Sequence, residues 1–73
     1  MIDFDTVKMG ERIKELRLSM GISQTKLAEP IGVASNTVTQ YEKNANPSLF
    51  ILVKLATVLE TSTDYLLGLK DEL

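Results

Sequence analysis

Residues 23–42 read SQTKLAEPIGVASNTVTQYE. Ser23 is a side chain that caps a helix, and the residues after it favour one. Leu27, Ala28 and Ile31 share one side of that helix, at spacings of one and three. Gly32 then supplies a tight turn. A second helix is expected from about Ser35 to Lys43, with Val38 and Tyr41 three apart facing inward. Pro30 sits awkwardly in the first helix, because it lacks an amide donor and its ring crowds the preceding turn. The first helix is therefore expected from about Gln24 to Glu29 or Ile31, ending early or bending at Pro30. Two short helices about a glycine turn form a recurrent unit, whose second helix can enter a DNA major groove.

The outward stripe of the second helix is chemically unusual. Ser35, Asn36, Thr39, Gln40 and Lys43 follow the pattern i, i+1, i+4, i+5, i+8, with no Asp or Glu among them. Solvent-facing helix positions normally favour Glu, Lys, Arg and Ala, whereas Ser, Asn and Thr are weak helix formers. Short amides and hydroxyls suit base edges: Asn or Gln pairs with adenine, and Thr or Ser touches thymine methyls.

Outward from this segment, turn residues divide the chain into about five short helical pieces. Before it, a helix is expected from Asp5 or Thr6 to Met20. Met9, Ile13, Leu16 and Met20 form its apolar stripe, and Arg12, Lys14, Glu15 and Ser19 lie mostly off it. Gly21 stops it. After the segment, Asn44 to Pro47 is a loop in which Asn can adopt a positive φ. A fourth helix runs from Ser48 to about Leu59 on a stripe of Leu49, Leu52, Val53, Ala56 and Leu59. A fifth runs from Ser62 or Thr63 to Leu67, with Gly68 as its stop. No β-branched run alternates with period two, so no sheet is expected.

The chain has 73 residues and 44% hydrophobic content. That is enough for one compact core but not for two domains. It contains no Cys, His or Trp. Thiolate or imidazole metal sites, Cys nucleophiles and Ser–His–Asp triads are therefore excluded, and no enzyme, cofactor, metal or small-molecule ligand is expected. The first residues carry Asp3 and Asp5 rather than the positive charge of a secretory signal. No stretch of ~20 apolar residues exists to span a membrane. The expected setting is cytoplasmic.

The strings GERIKELR, GISQTKLAEPIGVASNTVTQYEKNANPS, LVKLATVL and STDYLLG occur in this order. With these the chain resembles the helix-turn-helix DNA-binding domain of the phage-repressor/Cro type, the XRE family, over roughly Val7 to Leu67. The resemblance implies an all-α, compact five-helix, lambda-repressor-like domain, spanning 1–73 with its motif at about 23–42 and short loose ends at about 1–4 and 69–73. It implies a sequence-specific transcriptional regulator, a repressor that binds double-stranded DNA as a homodimer. Ser35, Asn36 and Gln40 match base-reading positions, with Thr39 on the same stripe. Gln24 matches a residue that contacts phosphate and braces the reading helix. Lys43, Asn44 and Asn46 match a phosphate-contacting loop, and Thr37 and Lys26 lie where they can join it. Arg17 and Glu42 match an internal ion pair. Several positions depart from the family pattern. Pro30 replaces a polar residue, Lys26 stands where Glu is frequent, and Glu60 stands where Gly is common. Phe50 replaces an Arg that some relatives direct at the minor groove, so that contact is expected to be absent.

The net charge of -2 opposes DNA binding at first sight. Its distribution is more informative. Residues 6–59 hold Lys8, Arg12, Lys14, Arg17, Lys26, Lys43 and Lys54 against Glu11, Glu15, Glu29 and Glu42, a balance of +3, while both ends are acidic. Modest affinity per copy is expected, with two copies on half-sites ~34 Å apart supplying the rest. Tyr65, Leu67, Leu69 and Leu73, with Phe50, Ile51 or Val58, are the expected homodimer surface. A competing reading is a protein-interaction module, or an antitoxin-like partner, using Phe50, Ile51 and the C-terminal Leu residues.

Overall fold

The computed structural model describes residues 5–72. The expected loose segment 1–4 and the expected dimer residue Leu73 lie outside them. Five helices follow one another: α1 (Thr6–Ser19), α2 (Gln24–Ile31), α3 (Ser35–Lys43), α4 (Leu49–Val58) and α5 (Thr63–Leu67). The fold is all-helical among the described residues, and none of the helices is long and apolar enough to cross a membrane.

Side chains fix most of the helix starts. Asp5, Ser23, Ser48 and Ser62 each precede a helix in extended backbone, and each accepts a hydrogen bond from the amide three residues on. Such caps contribute ~1 kcal/mol each. α3 is the exception. Its cap position is Ala34, which has no oxygen to offer.

Four helices end in one geometry. After α1, α2, α4 and α5 a residue takes positive φ, at Gly21, Gly32, Glu60 and Gly68. The next amide reaches back to the last turn: Ile22 to Arg17, Val33 to Ala28, Thr61 to Ala56 and Leu69 to Asp64. A left-handed residue with this 6→1 bond closes a helix while satisfying its last carbonyls. Three of the four positions are glycine. Glu60, at φ +56°, bears a Cβ penalty of ~1–2 kcal/mol that glycine escapes. Allowing for glycine's larger unfolded-state entropy, Glu60→Gly is expected to stabilise by about 1 kcal/mol, or ~4–8 °C in melting temperature. An unchanged or lower midpoint in thermal denaturation would contradict this. Thr61 beside it carries a buried hydroxyl with no hydrogen-bond partner among the described residues.

The core gathers Met9 and Ile13 from α1, Leu27, Ala28 and Ile31 from α2, Val38 from α3, Ala45 from the following loop, and Leu52, Leu55 and Ala56 from α4, with Leu59 and Leu66. α1 packs on α3 and α5, α2 on α3 and α4, and α4 on α5.

Several expectations are corrected. α2 runs to Ile31, the later of its two expected ends, so it does not stop early at Pro30, which is exposed. Only one helical bond is forfeited this close to the helix end, and the carbonyl four residues back belongs to exposed Lys26, where water can serve it. Asn44 is extended, at φ -158°, so the loop does not use a left-handed Asn. Met20 lies past the last helical residue and is 39% exposed. Arg12 is buried, not outside the α1 stripe: one Nη1 donates to the carbonyls of Tyr65 and Lys70, Nη2 donates to Asp71, and the guanidinium stacks 4.1 Å from the centre of the Tyr65 ring. Residues 70 and 71, expected to be loose, are thereby tied to α1. In α4 the inward stripe is Leu52, Leu55, Ala56 and Leu59, leaving Leu49 and Val53 outside. α4 is apolar almost all round, so its sequence permits more than one stripe.

Candidate nucleic-acid interface

Positioning of α3 begins with backbone. Gly10 faces α3 so closely that a Cβ on it would stand 2.6 Å from the Tyr41 carbonyl oxygen and 2.8 Å from that of Glu42. The Ala45 amide, just past α3, donates to the Thr6 carbonyl at 2.9 Å. α1 thus holds the C-terminal end of α3 at two points. Neither Gly10 nor Ala45 stood out in the sequence for this role. A glycine within an otherwise helical pattern was the one available signal for close approach.

Side chains then lock the inner face. Arg17 Nε donates to Glu42 Oε2 at 2.5 Å, and Arg17 Nη2 to Glu42 Oε1 at 3.2 Å, with both side chains almost fully buried. Arg17 Nη1 donates to the Ile22 carbonyl in the turn after α1. Gln24 Nε2 adds a second donor to Glu42 Oε1 at 3.0 Å, and the Thr39 hydroxyl donates to Gln24 Oε1 at 2.6 Å. The Gln24 amide has one consistent orientation here, since the carboxylate can only accept. One Glu42 carboxylate therefore joins α1, α2 and α3. The Ser35 carbonyl also lies 3.3 Å from the Thr39 hydroxyl, but a single hydrogen favours the shorter contact to Gln24.

The outer face is free of such ties. Ser35, Asn36 and Gln40 are exposed on α3, and none of their side chains makes a hydrogen bond among the described residues. Lys43, Asn44 and Asn46 are exposed at its C-terminal end, and Lys26 is exposed in the first turn of α2. Thr37 and Thr39 are half-buried at the margins. The expected positions therefore divide. Ser35, Asn36, Gln40, Lys43, Asn44, Asn46 and Lys26 are each exposed, whereas Gln24, Thr39, Arg17 and Glu42 are joined by hydrogen bonds. Because Ala34 provides no cap, the first amides of α3 carry no side-chain acceptor either. These exposed residues offer amide, hydroxyl and ammonium groups, which suit base edges and phosphates.

Of the residues expected to form a homodimer surface, Tyr65, Leu67, Ile51 and Val58 pack partly buried against the core. Leu69 is 54% exposed. Phe50, also among them, is 81% exposed, and beside it Leu49, which was not, is 76% exposed.

A family model described as Helix-turn-helix matches residues 13–66. The transcriptional regulator ImmR of Bacillus subtilis is 39% identical over 67 residues, which cover 90% of this chain and 52% of ImmR. The transcriptional regulator SinR of Bacillus licheniformis is 42% identical over 66 residues, covering 88% of this chain and 60% of SinR. The chain thus spans about half to three fifths of the length of these curated relatives. Among solved structures, the P22 c2 repressor in complex with a synthetic operator superposes with a TM-score of 0.77 at 37% identity, over 81% of this chain and 91% of that one.

Proposed function

This chain belongs to the helix-turn-helix family, and we propose that it is a sequence-specific transcriptional regulator, a repressor acting in the cytoplasm, that reads double-stranded DNA through α3. The observation that carries this reading is the contrast between the two faces of α3. Its inner face is fixed by the Arg17–Glu42–Gln24–Thr39 network, while Ser35, Asn36 and Gln40 stand exposed and uncommitted. A rigid helix presenting unpaired amides makes its hydrogen bonds to a ligand without first breaking internal ones.

The roles then follow from residue chemistry. Asn36 and Gln40 supply amide pairs, most naturally to adenine, and Ser35 and Thr39 contribute hydroxyl or methyl contacts. No Arg lies on this face, so the bidentate Arg–guanine contact has no donor, and the directly read positions are expected to be mainly A·T. Lys26, Lys43, Thr37, Asn44 and Asn46 face phosphates. Gln24 can do so as well, because one of its two amide hydrogens remains after the bond to Glu42.

Selection of bound sites from random duplex DNA tests the reading. Asn36→Ala and Gln40→Ala are each expected to cost ~1–3 kcal/mol and to relax preference at one or two adjacent positions. Lys26→Ala and Lys43→Ala are expected to weaken binding to all sequences and to reduce the salt slope by about one unit each. Selected motifs unchanged by Asn36→Ala and Gln40→Ala would show that α3 is not the base reader. Binding of a protein partner, with little salt dependence, would then favour the interaction-module reading.

A further inference from the structure

The Thr39 hydroxyl forgoes the bond a helical threonine ordinarily makes. Thr57 shows the ordinary case: its Oγ1 donates to the Val53 carbonyl four residues back, at 2.8 Å. Thr39 has the equivalent carbonyl, that of Ser35, at 3.3 Å, yet Gln24 Oε1 lies nearer, at 2.6 Å. The hydroxyl hydrogen therefore leaves α3 and crosses to the first residue of α2.

The direction of each hydrogen in this chain of contacts is determined. The Glu42 carboxylate only accepts, and it takes two donors from Arg17 and one from Gln24 Nε2 at 3.0 Å. Gln24 Oε1 therefore faces Thr39 and accepts from it. Both ends of one carboxamide are held. Held at nitrogen alone, the planar amide could serve Glu42 with either hydrogen and turn about its last torsion, which has broad preferences. Held at oxygen as well, it commits one hydrogen to Glu42 and gives the other a single direction. That second hydrogen has no acceptor among the described residues, and Gln24 is only half-buried.

Resting on the DNA-binding reading above, we propose that the Thr39 hydroxyl positions Gln24: it aims the second amide hydrogen at a backbone phosphate and reads no base. Only the Thr39 methyl is then left for a base edge. Phosphate contacts carry no sequence information, so this hydroxyl adds affinity for every sequence alike although it sits on the reading helix. An amide aimed before DNA arrives also needs no ordering when it binds.

The test uses duplexes carrying a site recovered by selection, with each phosphate in turn replaced by a neutral methylphosphonate. At one phosphate the unsubstituted chain should lose ~10-fold in affinity or more, and Gln24→Ala less than ~3-fold, which locates the Gln24 contact. Thr39→Val keeps the branch and the methyl but has no hydrogen to donate. It should bind every selected sequence ~3–10-fold more weakly, leave the selected motif unchanged and lose most of the penalty at that phosphate. Thr39→Ala should lose the same penalty, and Thr39→Ser, which keeps the hydroxyl, should retain it. In the Gln24→Ala background, Thr39→Val should cost less than ~2-fold. A purely stabilising hydroxyl would lower the urea midpoint and leave the phosphate pattern intact. That pattern, a motif altered by Thr39→Val, a penalty lost in Thr39→Ser, or an undiminished cost of Thr39→Val without Gln24 would each overturn the assignment. So would a phosphate pattern that Gln24→Ala does not change, with α3 still the base reader. Failure of the unsubstituted chain to bind any duplex would overturn the DNA-binding reading and this assignment with it.

Discussion

Gly10→Ala is expected to be among the most destabilising single substitutions in this domain, although helix propensity alone predicts a gain of ~1 kcal/mol. The added Cβ would lie 2.6 Å from the Tyr41 oxygen, 2.8 Å from the Glu42 oxygen and 2.9 Å from the Glu42 carbonyl carbon. All three are backbone atoms, so no side chain can rotate out of the way. Relief requires α1 and α3 to separate. That in turn stretches the Arg17–Glu42 pair and the Ala45–Thr6 backbone bond, both of which cross the same interface. A loss of about 3 kcal/mol or more is expected, at the upper end of overpacking costs. For a domain of this length, whose whole stability is ~4–11 kcal/mol, this removes between about a quarter and three quarters of it. Urea denaturation followed by circular dichroism measures it directly. A midpoint equal to or above that of the unsubstituted chain would mean that α1 and α3 do not meet this closely.

Breaking the Arg17–Glu42 pair should have an effect of similar size by a different route. Arg17→Ala strands Glu42 with Gln24 as its remaining side-chain donor, and Glu42→Ala strands a buried guanidinium and frees Gln24. Removing one partner of a buried ion pair costs ~3–5 kcal/mol, most of it the penalty of leaving the other charge unpaired. The double substitution should therefore cost clearly less than the sum of the two singles, with a coupling of ~1–3 kcal/mol. Replacing both partners with apolar groups, Arg17→Met with Glu42→Leu, should recover much of the stability. It should not restore DNA affinity, because Gln24 would then lack the acceptor that orients it, and Thr39 donates to Gln24. Strict additivity of the single effects would remove the pair from its bracing role.

The local parts of this architecture could be read along the chain. The limits of α3 were expected at Ser35 and Lys43 and are found there. The caps at Ser23 and Ser48 and the left-handed glycine at Gly32 depend on neighbours three or four residues away, which a sequence displays directly. What escaped depends on distant partners. Arg12 looked like a solvent-facing cation, yet its acceptors lie at Tyr65, Lys70 and Asp71, and no local pattern announces them. Gly10 matters because of carbonyls at the far end of α3. In α4 an almost continuous apolar run allowed two registers, and packing against α2 and α5 selected Leu52, Leu55, Ala56 and Leu59 for the core. For the candidate interface, the exposed stripe was legible from composition, because residues poor at forming helices occupied helical positions. The division of labour between Gln24 and Thr39 beneath it and Asn36 and Gln40 above it required the three-dimensional network.

That division has a consequence for how such a domain can diverge. α3 does not depend for its stability on the groups it shows to solvent: Val38 and Glu42 are buried, and Gln24, Arg17 and Gly10 hold the helix from beneath. Positions 35, 36 and 40 can therefore be rewritten at little cost to folding, and with Ser and Asn as the starting residues many replacements would raise helix propensity. New target sequences are then reachable by single steps through stable intermediates, each change altering which duplex is recognised while the scaffold stays the same. A lineage of such domains can keep its architecture and exchange its vocabulary.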